Sequence, residues 1–348
     1  MTARGKKAGT SAWAARPLAD TGLPPRILTV LRTAGCRTCG DWAASPSSPD
    51  FSDLPEVDRA WAHRIATALR PLVRTSEAPA MPFAHWLENL LPDRWHAAIV
   101  HRRALDADGA ALSLHEVPLA RVGSALGITR ERARQLLDMA TAFLSAPLAQ
   151  ALAAPLYASA RANLDTAGGG LSPAEWLQIA TTSPLWAFTS PVGALLILHD
   201  AAPTRIDLHR GLFSSLSPDA ADALDARLRD AIRQADGLLP LGVVPGAPPA
   251  MYERLARLMP DVLALRDGRA GWLDRDAPRL LREILLSRGP LRLDALATAY
   301  NSLVHPESQR GIGLVRKWLL ADPALRRLAP NLYGLAPGYQ PSLFASAT

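Results

Sequence analysis

Cysteine, lysine and long apolar runs are scarce in this sequence. Two cysteines among 348 residues, Cys36 and Cys39, cannot build a disulfide framework. Only three of the 38 basic residues are lysine (Lys6, Lys7, Lys317), a skew that accompanies heavy use of Ala and Leu and carries little functional weight. The longest aliphatic run, Val192 to Leu198, contains a Gly and an Ala. It falls far short of the ~20 residues that span a bilayer. Met1 to Asp20 is basic and rich in small residues, without the apolar stretch of a secretory leader. These absences give the expectation of a soluble chain in the cytoplasm, nucleoid-associated if it binds DNA.

Catalytic signatures are missing as well. There is no phosphate-binding Gly-x4-Gly-Lys-Ser/Thr loop, no dinucleotide fingerprint and no nucleophile elbow. Eight scattered histidines and no paired carboxylates leave nothing to nominate as catalytic. Cys36-Arg-Thr-Cys39 has redox or zinc spacing, but no second cysteine pair or nearby histidine completes a four-ligand site. His199-Asp200 ends an apolar helix without companion ligands and reads as a helix-end histidine. The expectation is a protein that is not an enzyme and has no cofactor and no metal.

What is present is enough apolar sequence to fold: 49% hydrophobic against 20% charged residues. The net charge of +6 is unevenly placed. Residues 1–37 carry seven bases and one acid, residues 310–348 five and one, and the 272 residues between them 26 bases and 30 acids. The chain is no polycation; its basic excess belongs to its two ends.

Turn and cap signals divide the chain. Residues 1–19 read as a flexible basic arm, and short helices follow in 20–76, interrupted by the loop Ala44–Asp50. A Pro-containing linker, Ala78 to Pro82, leads to alternating helices and turns in 83–145. Asp165 to Gly170 reads as a hinge, followed by the helix start Ser172-Pro173-Ala174-Glu175 and a second start at Ser217-Pro218-Asp219. Trp176, Trp186 and Phe188 read as core. Short alternating pairs, Val262–Leu273 around Asp267-Gly268 and Leu325–Leu335, are hairpins that each follow two or three helices, the order of a winged helix. The fold expected is mainly α: a multi-domain array of small helical modules of DNA-binding type (helix-hairpin-helix, helix-turn-helix, winged helix) with a few short β-hairpins. Its later parts are a helical, winged-helix-like middle in 146–275, a winged helix in 276–338 and a tail in 339–348.

One window carries most of the information. Leu119 to Asp138 has the pattern of a helix-turn-helix. Val122 and Leu126 face inward on the first helix, with Gly123 between them at a close crossing. Gly127 occupies the turn, where a positive φ is needed. Ile128 plugs the core, Thr129 caps the second helix, and Ala133 and Leu136 return it to the core. Facing outward are Arg130, Glu131, Arg134 and Gln135, with Arg132 on the flank. Arg pairs bidentately with guanine, Glu accepts from the cytosine amino group and Gln matches adenine.

This window and the residues before it (Leu91–Leu105 and Leu112–Val117) resemble region 4 of the primary sigma factors of bacterial RNA polymerase, over about 55 residues. The string Thr129-Arg-Glu-Arg-Ala-Arg-Gln135 carries the likeness. It implies that Arg130, Glu131, Arg134 and Gln135 contact bases of a −35-like site, and that Thr129 and Arg132 hold phosphate. The family's acidic first helix is here Leu119-Ala-Arg-Val122, its charge reversed at Arg121.

Leu23 to Trp42 with Leu54 to Leu69 is similar to the C-terminal domain of the polymerase alpha subunit, a pair of helix-hairpin-helix units on minor-groove DNA. That similarity implies DNA contact by Arg26 and makes both cysteines replacements of apolar core residues. Asp58 and Ala60 stand where the family has Gly and a basic residue. Residues 279–335 look like the winged modules of polymerase-associated proteins. Arg316, Lys317, Arg326 and Arg327 lie there on the last helix and wing, as a nucleic-acid face or as solvated residues of a protein-docking module.

The function expected is a bacterial, sequence-specific DNA-binding transcription regulator whose partners are double-stranded DNA and RNA polymerase or other protein subunits, with no membrane and no small-molecule substrate. The alternative is a non-catalytic DNA-binding or scaffold subunit of a larger complex, such as mobile-element or phage-defence machinery, using the same modules for docking.

Overall fold

The computed structural model describes residues 11–45, 49, 51–52, 54–75, 77–103, 114, 116–186, 188 and 190–339. These residues form sixteen α-helices and three small antiparallel sheets, and the chain divides between Leu216 and Ser217 into two units. None of these helices is long and apolar enough to cross a membrane.

The first unit begins with α1 (Pro25–Thr33), α2 (Cys39–Ala44) and α3 (Glu56–Thr75). Thr38 caps α2 by accepting from Asp41 N, and the Asp41 carboxylate accepts from Thr38 N. Both cysteines are buried and unbridged. Burial pushes the Cys39 thiol up to about 11, which keeps it protonated at neutral pH.

Residues 11–19 do not form a free arm. Ser11 is buried and donates to the Leu72 carbonyl at 3.0 Å, Leu18 N donates to Arg37 O, and Pro17 pairs with Thr38. Four alanines and Pro17 let this stretch lie flat against α2 and α3. Residues 1–10 of the expected arm, most of the loop Ala44–Asp50, and the tail beyond Tyr339 lie outside the described residues.

The next helices are α4 (Phe83–Leu90), α5 (Asp93–Arg103), α6 (Leu119–Leu126) and α7 (Arg130–Leu144). Residues 20–76 and 83–145 share one core. Trp61 of α3 donates to Leu90 O at 2.6 Å, and its ring lies 5.6 Å from Trp95 of α5 and 5.3 Å from Phe143 of α7. Aromatic rings at these spacings bind more strongly than their buried area alone implies. The proline-containing stretch 78–82 is a short connection within one folded body.

After α8 (Pro147–Leu152) come α9 (Ala154–Thr166), β1 (Gly170–Leu171), α10 (Pro173–Ala180), α11 (Pro191–Ala201), β2 (Asp207–His209) and β3 (Leu212–Ser214). The sheet order is β1-β3-β2. Ser172 caps α10 with Glu175 in the reciprocal arrangement its spacing predicts. The segment 165–170 is an anchored turn, not a hinge: Gly169 O accepts from Ser214 Oγ and Ser215 N, and Ser215 Oγ donates to Asp165. Trp176 and Trp186 are buried 4.9 Å apart, and Phe188 stacks edge-on to Phe83.

The second unit starts at the Ser217 cap. It contains α12 (Pro218–Gln234), β4 (Leu239–Pro240), α13 (Pro249–Leu258), β5 (Val262–Ala264) and β6 (Arg269–Trp272). It continues with α14 (Leu273–Arg288), β7 (Leu291–Arg292), α15 (Leu293–Leu303), α16 (Ile312–Ala321), β8 (Leu325–Ala329) and β9 (Leu332–Leu335). Its sheets run β4-β6-β5 and β7-β9-β8. The expected middle part, 146–275, is therefore cut at residue 216.

One order of elements occurs three times: helix, short strand, helices, then a hairpin whose second strand takes the centre of the sheet. It runs from α9 to β3, from α12 to β6 and from α14 to β9, with a 3-10 turn at Leu241–Val243 standing for a helix in the second copy. Each helix following the short strand starts at or just after it, so the strand fixes the direction in which the helix leaves.

Candidate nucleic-acid interface

The geometry of α6 and α7 follows from local chemistry. Gly127 closes α6 with φ 65°, a conformation that costs glycine nothing. At Gly123 a Cβ would lie 2.8 Å from Ile128 O and 3.3 Å from Arg130 N, so the two helices meet backbone to backbone. Thr129 Oγ1 accepts from Arg132 N at 3.1 Å and satisfies one of the free donors at the start of α7. Val122, Ala133 and Leu136 are buried, Leu126 and Ile128 half-buried against the same core. Helix α5 packs against both α6 and α7.

The residues left outside are those the spacing selected. Thr129, Arg130, Glu131, Arg132, Arg134 and Gln135 are all exposed. They are engaged with one another. Arg134 places Nη2 2.6 Å from Glu131 Oε1 and Nη1 2.6 Å from Asp138 Oδ2. Arg132 Nη1 donates to Gln135 Oε1 at 3.1 Å. The hydrogen bonds from Arg134 hold the Glu131 carboxyl below its usual range, and the same contacts raise the Arg134 guanidinium. Asp138 was not singled out from the sequence, although its i,i+4 spacing from Arg134 was readable.

Arg26 reaches the buried carboxylate of Asp58, with Nη2 2.6 Å from Oδ1. The Asp at the position where the alpha-subunit family has Gly thus holds the arginine that the likeness assigns to DNA. Arg26 also lines a cleft of about 700 Å³ with Pro24, Trp95, Arg132, Met139 and Phe143. Arg26 and Arg132 therefore border one cleft, which sequence separation hid.

Behind α5, Arg103 is nearly buried between Glu116 and Asp200: its Nη2 is 2.6 Å from Glu116 Oε1, and its Nε donates to Asp200 Oδ2 at 3.0 Å. Arg102 pairs with Glu116 as well. Asp200, at the end of α11, is thus a brace for α5, which packs against α7.

In the second unit, Arg316 and Lys317 are exposed on α16 and Arg326 and Arg327 on β8. Ile312, Leu320 and Leu328 on the same two elements are exposed too. These bases are not in the same unit as the face of α7.

Chemically, the face of α7 offers guanidinium and amide donors beside carboxylate acceptors at the start of a fixed helix. Comparison of the chain with protein-family models, with curated proteins and with solved structures finds no match.

Proposed function

We infer that the chain is a sequence-specific DNA-binding protein, acting in transcription, in which α7 enters a major groove. One observation carries this reading: Arg130, Glu131, Arg134 and Gln135 stand exposed in a row at the start of α7, while the Gly123 crossing and the Thr129 cap fix that helix against α6. The target is a −35-like duplex, and the polymerase that recognises such elements is the protein partner. The protein binds and positions without catalysing a reaction, in the cytoplasm on the nucleoid. The thrice-repeated element order is that of winged helices, so the chain is read as a helix-turn-helix followed by three winged modules.

The internal ion pairs of α7 bear on how it reads. Glu131 and Asp138 offset the charge of Arg134, so a phosphate backbone gains little from this helix alone. A guanine edge, which offers two acceptors to a guanidinium, repays the exchange of partners better. The design favours discrimination over raw affinity.

A scaffold role has an observation of its own. The Arg26 guanidinium is tied to Asp58, and α11 of the first repeat is buried from Pro191 to Leu198, so that helix presents no face to DNA. On that reading the repeats serve docking while α7 alone meets the duplex.

The test is Arg134→Ala on a duplex recovered by selection. A loss of about 1–3 kcal/mol confined to that duplex, with relaxed preference at one position, supports groove reading. Unchanged binding refutes it. A loss uniform across sequences, with a shallower salt dependence, assigns Arg134 to phosphate. Co-purification of RNA polymerase with the full chain tests the partner.

A further inference from the structure

The three repeats differ in what covers the helix that precedes the hairpin. In the first, α11 is buried at every position from Pro191 to Leu198, with α5 and α7 packed on it. In the second, α13 packs against the turn Pro306–Ser308, and its Glu253 meets His305 Nε2 at 3.1 Å. In the third, nothing among the described residues covers the outer side of α16. Ile312 is 50% and Leu320 65% exposed, with Gly313, Arg316 and Lys317 also exposed.

Ile312, Arg316 and Leu320 follow at steps of four and form one stripe about 12 Å long. Its composition is informative. Helix α16 contains no acid, and Asp322 at its C-terminal cap is nearly buried in an ion pair with Arg282 at 3.1 Å. The stripe is thus aliphatic at both ends and cationic in the middle, with no carboxylate of its own to neutralise it. A base-reading helix carries hydrogen-bonding side chains outward; on this stripe only Arg316 can donate to a base edge, and Ile312 and Leu320 could meet nothing there but thymine methyls.

We propose that the outer face of α16 docks an acidic amphipathic helix of another protein, aliphatic groups of that helix meeting Ile312 and Leu320 and its carboxylates meeting Arg316 and Lys317. Charge complementarity selects this occupant. Basic side chains between aliphatic anchors favour a partner of opposite charge and reject a basic one. The site fills the place that chain elements fill in the first two repeats, and turns the last repeat outward.

The experiment uses the full chain and two labelled helical peptides of about 18 residues, long enough to hold helical turns across the stripe. Both carry Leu at i, i+4 and i+8; one bears Glu on the flanks of that row and the other Lys. Fluorescence anisotropy is expected to show binding of the Glu peptide at least about tenfold tighter than the Lys peptide, a difference of about 1.4 kcal/mol. Leu320→Ser is expected to weaken the Glu peptide by a similar factor. Arg316→Glu with Lys317→Glu is expected to reverse the preference, a gain that an unfolded variant cannot mimic. Equal binding of the two peptides, or no reversal, overturns the proposal. So does a mixed-sequence duplex whose binding is lost in Arg316→Glu/Lys317→Glu yet unchanged in Leu320→Ser, which assigns the face to DNA. Concentration-dependent self-association abolished by Leu320→Ser assigns it to a second copy and also overturns the proposal.

Discussion

Asp138 Oδ2 lies 2.6 Å from Arg134 Nη1, one helical turn beyond the side chain it restrains. Both are exposed, so the contact adds little to stability, but together with Glu131 it holds the guanidinium before any ligand arrives. Releasing that hold alters binding more than folding. Asp138→Asn is expected to tighten binding of a selected duplex by ~2–5-fold, the size of an exposed ion pair. The gain should shrink as salt rises. Titrations at two ionic strengths check it, and weaker binding would mean that Asp138 itself accepts from a base.

Gly123 predicts a packing effect. In Gly123→Ala the added methyl meets the Ile128 carbonyl and the Arg130 amide, both backbone, so α6 and α7 must move apart. Overpacking of this kind costs about 1–3 kcal/mol, seen as a lower urea midpoint. Ser124→Ala, at the exposed neighbouring position, is the control and should stay within about 0.5 kcal/mol.

The Arg103 brace predicts a non-additive pair. Asp200→Ala leaves a nearly buried guanidinium with Glu116 as its remaining carboxylate, a loss of about 2 kcal/mol in urea unfolding. Adding Arg103→Met should recover part of that loss, because the uncompensated charge is gone. Equal and additive losses would contradict the account.

His305 gives the second unit a pH dependence. Burial lowers its pKa, Arg257 adds to the effect, and together they outweigh the attraction of Glu253 at 3.1 Å. The unfolded chain therefore binds this proton more readily than the folded one. Stability contributed by neutral His305 is present above its ordinary pKa of about 6.5 and is lost as pH falls below it. The melting temperature should drop between pH 7 and pH 5.5, with a smaller drop in His305→Gln.

The α6–turn–α7 pair was legible because its determinants are local. Gly123, Gly127, Thr129 and the inward spacing of Val122, Ala133 and Leu136 all lie within one short window. The Asp267-Gly268 hairpin and the Ser172 cap were legible for the same reason. What escaped was long-range. Trp61, Trp95 and Phe143 join three helices across 82 positions of chain, and Ser11 binds Leu72, so two expected modules and an arm form one body. The hairpin at Arg210-Gly211 escaped because its strands have three residues each, too few to show alternation. Arg26 was nominated and Asp58 noticed, but nothing in their spacing says that they meet.

The central claim is that α7 reads sequence. The most direct measurement is selection of bound duplexes from a random pool by the full chain, with Gln135→Ala run in parallel. The account predicts that one short motif is enriched and that preference at a single position of it is lost in the variant. Recovery of duplexes without a common motif, by both proteins alike, would contradict it.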